Sequence, residues 1–362
     1  MARPLPALSL FSNCGAGDSG YARAGLEFGV MAELDERRLH VALLNHRSAI
    51  GVPGDLRETW PELVSAYRKR YGGTAPALLA ACPPCQGMSS ARGRRGRESD
   101  ASAGSRDLRN LLVDVIADVA EALSPRVVVV ENVPAFLTRL VKHPRTGESV
   151  SAALLLTDRL DSEYRVFPFL TDLADYGVPQ KRVRAFLTFV RRDEPALSLL
   201  DNTAKTPYPC STSPPDSVAG HTTLREALAR LGAAPLDARS AELARDLDDP
   251  LHFVPVWGND HRYRMVSAIP PGSGRGAWDN MVCGSCGDVD VEPDDAVCPS
   301  CGGPLSRPVV QEADGTYRLV RGFRTSSYSR MRADVPAATV TTASGHVGSD
   351  LTVHPFENRV LS

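Results

Sequence analysis

The sequence of 362 residues predicts an α/β fold: a doubly wound, Rossmann-like sheet joined to a second, smaller and irregular domain. Three observations predict it. Short apolar runs alternate with helical stretches from Leu8 to about Val190, the pattern of βαβ units. Polar clusters follow directly on those runs: Ser12-Asn13-Cys14-Gly15 after Leu8–Phe11, Pro83-Pro84-Cys85-Gln86 after Ala77–Ala81, and Glu131-Asn132-Val133 after Val127–Val130. Groups that bind or react sit beyond the carboxyl ends of strands in open parallel sheets. Beyond Arg191 the alternation fails: prolines become frequent (Pro207, Pro209, Pro214, Pro215), helical pieces shorten, and no strand can be assigned up to about Thr325.

The elements follow in order. Leu8–Phe11 is a short strand broken at Ser12–Asp18, with a helix through Tyr21–Ala24 and a second strand, Phe28–Ala32, ending at Glu33. Strand, glycine-bearing turn, helix, strand and acid is the plan of a nucleotide-type cofactor site. A tight turn with no ligand would look the same. Gly54-Asp55-Leu56 offers a second acid, or simply a turn. Residues 91–106 are Arg, Gly, Ser and Asp without apolar periodicity and read as a loop. A helix from Asn110 to about Leu123 leads to the Glu131 strand, and Gln180-Lys181-Arg182-Val183-Arg184 precedes the strand Ala185–Val190. Pro336–Thr342 reads as a strand returning to the first domain. The boundaries are therefore 1–190, 191–325, and a return segment over 326–362.

Composition narrows the classes. Forty-one basic against 43 acidic residues give a net charge of −2, which argues against indiscriminate polyanion binding. The charges are segregated, however: arginines cluster at 92–109, and acids gather at 246–249 and 288–295. No apolar stretch is long enough to span a bilayer, and the first residues run straight into a strand without a signal peptide. Eight cysteines, four of them in a metal pattern, fit a reducing cytoplasm better than a disulfide framework.

Cys85, at a strand end in a turn pre-set by two prolines, suits a nucleophilic thiolate. Cys14, Cys82 and Cys210 read instead as small buried residues. Glu131 closes an apolar strand; partial burial would raise its carboxyl pKa and let it donate a proton near neutral pH. Arg182 and Arg184, two apart on an extended segment, would face one side and could hold a carbonyl oxygen. Together these groups can activate a pyrimidine ring.

In these segments the sequence resembles the cytosine-C5 DNA methyltransferases. Leu10–Asp18 is similar to the family's first motif, with Asn13 and Ala16 in place of two usual glycines. Pro84-Cys85-Gln86, Glu131-Asn132-Val133 and Gln180-x-Arg182-x-Arg184 resemble its catalytic motifs. Ile269-Pro270-Pro271-Gly272, Arg330–Thr342 and His354–Arg359 resemble later ones. The resemblance implies an S-adenosylmethionine-dependent enzyme acting on a flipped cytosine in duplex DNA. Cys85 would attack C6, Glu131 would serve N3, and Arg184 would grip O2 with Arg182 and Gln180 in support. Phe11, Ser12, Asn13, Gly15, Glu33, Asp55, Leu56 and Pro83 would hold the cofactor. Ser89, Arg92, Arg94, Arg95 and Arg97 would contact DNA, and 191–325 would be the target-recognition domain. A tRNA methyltransferase, or a DNA-binding subunit inactive without a partner, are the alternatives.

Cys283-x-x-Cys286, eleven residues, then Cys298-x-x-Cys301, with glycines after both pairs, is the spacing of a zinc ribbon at about 281–305. Four thiolates make a closed, structural zinc site. Its acidic middle disfavours phosphate contact and leaves protein contact or domain bracing open. Family members usually end in a further Gly-Asn motif that nothing in 1–362 matches. The expectation is a second polypeptide supplying that segment.

Overall fold

A computed structural model describes residues 4–84, 111–138, 140–143, 146–202, 206–214, 220–258, 260–322, 326–341, 345–348 and 351–362. They form two compact units. One comprises Met1–Thr171 with Val183–Cys210; the other comprises Asp172–Arg182 with Ser211–Ser362.

The first unit is built on a seven-stranded sheet. Its strands are β1 (Leu5–Leu10), β2 (Leu26–Glu33), β3 (Ile50–Pro53), β4 (Leu78–Ala81), β5 (Val127–Asn132), β8 (Tyr164–Asp172) and β9 (Val183–Arg191). A small hairpin, β6 (Leu140–Lys142) with β7 (Ser149–Ser151), stands apart. The sheet order is β3-β2-β1-β4-β5-β9-β8, with β3 to β5 parallel and β9 antiparallel to β5. The helices are α1 (Ala16–Arg23), α2 (Glu36–Asn45), α3 (Leu56–Tyr71), α4 (Val113–Leu123), α5 (Ala152–Leu160) and α6 (Ala196–Asn202). This is the expected doubly wound α/β class.

Side chains on a strand alternate between faces, so β5 can be read residue by residue. Val128 and Val130 are buried in the main core with Leu63, Ile116, Leu156 and Phe189. Val127 and Val129 face the smaller cluster of Phe28, Met31 and Leu39. Glu131 shares their parity and lies at the thinner-covered face. Helix α4 buries Val113, Val115, Ile116, Ala117, Val119, Ala120 and Leu123, nearly its whole circumference, and packs against α3 and α5. Each such aliphatic side chain contributes roughly 1.5–3 kcal/mol on burial.

The second unit holds α7 (Leu224–Leu231), α8 (His261–Ser267) and a hairpin of β10 (Val309–Gln311) with β11 (Tyr317–Leu319). The hairpin lies in a region where no strand could be assigned; each of its strands is only three residues long, too short for periodicity to register. Residues 326–362 group here rather than with the first unit. Val347, Val353 and Val360 pack on Ala238, Trp257 and Tyr263, and fully buried Arg330 donates to the carbonyls of Ile269, Val266 and His354. The strand expected over 336–342 is a single parallel bridge between Ala337 and Gln180, itself in this unit. Buried guanidinium bonding, not sheet pairing, anchors the segment. Among the described residues no helix is long and apolar enough to cross a membrane.

Candidate active site

The cofactor turn is shaped by backbone. After β1 the chain passes through left-handed conformations at Phe11 (φ 57°) and Asn13 (φ 50°), then Gly15 (φ 73°). Phe11 therefore breaks the strand it was expected to close, and a bulky residue in that region is strained. Asparagine tolerates the left-handed region better than other non-glycine residues, so Asn13 preserves a turn where the resembled family usually has glycine. At Gly15 a Cβ would lie 2.9 Å from His46 Cδ2. Two residues at the end of α2, to which sequence reasoning assigned nothing, hold this turn: Asn45 Nδ2 donates to the Cys14 carbonyl at 2.9 Å, and His46 Nε2 donates to the Gly15 carbonyl at 3.0 Å.

Glu33 is buried at the end of β2 and accepts from the Asn13 amide (2.9 Å) and the Asp35 amide (3.2 Å), one on each oxygen. A carboxylate has about four acceptor positions, so both oxygens retain capacity for a ribose diol. No side chain caps the N-terminus of α1, so its first amides stay available to an anionic group. Glycine cradle, uncapped amides and buried acid fit the implied S-adenosylmethionine. Ser12 turns inward, its hydroxyl donating to the Ser9 carbonyl at 3.2 Å. Asp55 caps α3, accepting from the Arg57 amide at 2.9 Å, and the Arg57 guanidinium holds its carboxyl below the usual range. Leu56 is buried in the main core.

Asp18, in the first turn of α1, is 6% exposed. Burial pushes its carboxyl up to about 6, against the lowering effects of the Ser9 hydroxyl bond and His46. Ser9 Oγ donates to Asp18 Oδ2 at 2.9 Å.

Two of the candidate reactive groups, Glu131 and Arg184, meet where β4, β5 and β9 run side by side. Glu131 Oε1 accepts from Arg184 Nε at 2.8 Å, and Glu131 Oε2 accepts from the Cys82 thiol at 2.8 Å. Buried Asn132 donates its side-chain amide to the Pro83 carbonyl at 3.0 Å, tying the chain after β4 to the end of β5. Sequence reasoning had Cys14, Cys82 and Cys210 buried; Cys14 is half-buried, and Cys82 and Cys210 are exposed. Cys82 lies just beyond the end of β4, past the ladder that would have covered it. Tyr21 on α1, also unassigned from sequence, faces this group: burial first, then Asp18, Glu131, Tyr208 and Cys82, push its phenol up to about 12. Tyr208 stacks on Phe169 at 4.1 Å and donates to the Phe167 carbonyl at 2.8 Å.

Arg182 and Arg184 are expected on one extended segment ahead of the strand Ala185–Val190; the strand starts earlier and takes in Arg184 alone. β9 begins at Val183, and Arg182 belongs to the second unit, where its amide donates to Asp172 Oδ1 at 2.8 Å. Gln180 also lies in the second unit, and the neighbouring Lys181 amide donates to the Ala337 carbonyl at 2.8 Å. Pairing with β5 starts only at Ala185, opposite Asn132. Cys85, Ser89, Arg92, Arg94, Arg95 and Arg97 lie outside the described residues.

In the second unit the Sγ atoms of Cys283, Cys286, Cys298 and Cys301 all lie within 4.8 Å of one another. Cys283 is 3.7 Å from Cys301, and Cys286 is 3.6 Å from Cys298. A tetrahedral zinc with Zn–S bonds of ~2.3 Å requires S···S separations of ~3.8 Å, so the four sulfurs fit the ion. Arg307, fully buried, braces the module by donating to the carbonyls of Asn280 and Asp295 at 2.8 and 3.0 Å.

Fold and site define an α/β enzyme with a nucleotide-type cofactor turn and an acid–arginine pair beside a cysteine-bearing strand end. The model of C-5 cytosine-specific DNA methylases matches residues 5–243, and the chain belongs to that family. It is a DNA (cytosine-5-)-methyltransferase; the family takes its methyl group from S-adenosylmethionine, and DNA is its substrate. The chain is 26% identical over 359 residues to Type II methyltransferase M1.HgaI of Avibacterium volantium, covering 98% of this chain and 82% of that protein. It is 30% identical over 204 residues to Type II methyltransferase M.FnuDI of Fusobacterium nucleatum, covering 56% of this chain and 51% of that one. A solved structure of an E. coli prophage protein assigned as a DNA modification methyltransferase shares the fold, with TM-score 0.56 at 16% identity over 99% of this chain and 85% of that one. The second polypeptide expected from sequence finds no support in these comparisons.

Proposed function

We propose that the chain methylates C5 of a cytosine flipped out of duplex DNA, through a covalent bond between Cys85 and ring carbon C6, as the modification half of a restriction–modification system. The observation that carries this reading is the Glu131–Arg184 pair beside the strand end that leads into Pro83-Pro84-Cys85. A stacked base cannot offer C6 to a thiolate, hence the flipping. Cys85 thiolate forms the S–C6 bond; the C5=C6 pair moves to C4–C5 and the C4=N3 pair onto N3, which takes up a proton through Glu131. When bound, S-adenosylmethionine would supply the methyl group that the enamine carbon C5 takes, its S–CH3 bond breaking to leave S-adenosylhomocysteine. A base removes the C5 proton, the S–C6 bond breaks, the double bond reforms, and Cys85 leaves as thiolate. Arg184 orients Glu131 and reaches the base carbonyl O2, with Arg182 and Gln180 in support.

Phe11, Asn13, Gly15, Glu33 and Asp55 hold the cofactor in this reading, with Ser12, Leu56 and Pro83 shaping the pocket by backbone. Ser89, Arg92, Arg94, Arg95 and Arg97 contact the DNA backbone, which positions the duplex without reading sequence. Cys283, Cys286, Cys298 and Cys301 hold one structural zinc in the target-recognition domain. The names of the relatives, Type II methyltransferases, support the restriction–modification setting.

The test is transfer of tritiated methyl from S-adenosylmethionine into unmethylated duplex DNA, with tRNA in parallel. Label recovered as 5-methylcytosine in DNA, and lost in Cys85→Ala, is expected. A duplex carrying 5-fluorocytosine, whose fluorine cannot leave as a cation, would trap an SDS-stable complex dependent on Cys85. Incorporation into tRNA alone, or transfer that survives Cys85→Ala, would overturn the reading.

A further inference from the structure

We infer that Cys82 is a positioning residue for Glu131: a weak donor that holds one carboxylate oxygen in plane and leaves its second lone pair for the target base. The inference rests on the reaction proposed above. Glu131 takes donors from the strands on both sides, Arg184 Nε on Oε1 and the Cys82 thiol on Oε2, each at 2.8 Å. Together they hold the plane of a carboxylate that would otherwise turn about its last side-chain bond. Its side chain remains 29% exposed, and Cys82 itself is exposed, so this edge is open to a ligand.

The two donors are unequal. A guanidinium bond to a carboxylate is charge-assisted and roughly twice as strong as a neutral one. A thiol is among the weakest donors a protein has. When ring N3 needs a carboxylate oxygen, Oε2 is the less committed of the two, and Cys82 and Arg184 together keep the group aimed. Tyr21 is a neutral phenol beside the same pair, its titration pushed up to about 12 chiefly by burial. It therefore adds no charge to compete with Glu131. Nothing in the sequence pattern marks Cys82 for this part; it reads as a small residue before a proline pair.

The experiment compares the full chain with Cys82→Ala and Cys82→Ser in methyl transfer to a pool of unmethylated 40-mer duplexes of random sequence. Cys82→Ala is expected to lower kcat about tenfold, one step of about 1.4 kcal/mol in the barrier. The KM values for DNA and for S-adenosylmethionine should stay within about twofold, and the melting temperature should not move, because the side chain is exposed. Cys82→Ser keeps a single hydroxyl donor and should recover most of the lost kcat. An unchanged kcat in Cys82→Ala, a serine variant no better than alanine, or a loss confined to KM would each refute the positioning role. A wild-type chain inactive on DNA would refute the reaction itself, which separates the two failures.

Discussion

Arg184 on β9 and Glu131 on β5 form an ion pair at 2.8 Å although they are not register partners. The residue opposite Glu131 is Phe186, so Arg184 lies on the diagonal, two residues along the same face. Long side chains bridge such diagonals readily. The antiparallel reversal of β9 thus delivers an arginine to a carboxylate at the mouth of an otherwise parallel run of strands. Arg184→Ala should lower kcat on the order of 10²-fold, the usual loss when a preorganised donor is removed from a reacting centre. Arg184→Lys should recover only part of it, because an ammonium lacks the planar fork. Steady-state methyl transfer beside a thermal melt checks this; a full recovery by lysine would argue that charge alone matters.

Gly15 combines φ 73° with a Cβ position 2.9 Å from the His46 ring. Gly15→Ala should therefore cost about 1–3 kcal/mol in stability through strain. It should also weaken S-adenosylmethionine binding, since the His46 ring must shift off the Gly15 carbonyl. Calorimetric titration with the cofactor, at a temperature where the variant remains folded, reads the second effect separately.

Asn13 makes the converse case. Its φ of 50° is one that glycine adopts freely and β-branched residues resist. Asn13→Gly should keep cofactor affinity within about twofold, with its amide still free to reach Glu33. Asn13→Val should lose both affinity and stability. Equal behaviour of the two variants would show that the conformation of this turn is unimportant to binding.

Asp18 makes stability depend on pH in a stated direction. Its folded pKa, about 6, lies above the ordinary 3.8 because burial penalises the charged form. Between those values the folded chain holds a proton that the unfolded chain has lost, so this contribution falls as pH rises through about 6. Asp18→Asn removes the buried charge while keeping an acceptor for Ser9. Its melting temperature should exceed wild type at pH 8, by an effect on the order of 1–3 kcal/mol, and the gap should close toward pH 4. A gap that widens on acidification would refute the assignment.

The four-cysteine cluster should bind one zinc per chain, measured by elemental analysis of protein purified without chelator. Cys298→Ser should cut the zinc content by more than half and lower the melting temperature of the second unit. Metal-free protein that melts identically to the zinc-loaded form would show that the cluster is dispensable for folding.

Much of this was legible in the amino-acid sequence because it is local. A strand ending in an acid, a turn with residues that tolerate left-handed backbone, and cysteine pairs with two residues between them are patterns within a few residues, decided by backbone sterics and ligand spacing. They mark Glu33, Glu131, Gly15 and the zinc cysteines without reference to the rest of the chain. What the tertiary structure decided is long-range. Cys82 meets Glu131 across 49 residues of sequence because β4 and β5 are adjacent in the sheet, and the order of strands is not written in any one segment. Arg182 and Arg184 look equivalent by spacing; the strand starts between them, with the Arg182 amide held by Asp172 and Arg184 one residue before the first pair with β5, Ala185 opposite Asn132. Residues 326–362 read as a segment returning to the first domain, with a strand over 336–342, yet they belong to the second unit, held by the buried guanidinium of Arg330. A buried cation must satisfy its donors wherever carbonyls converge, and only the folded chain determines where that is.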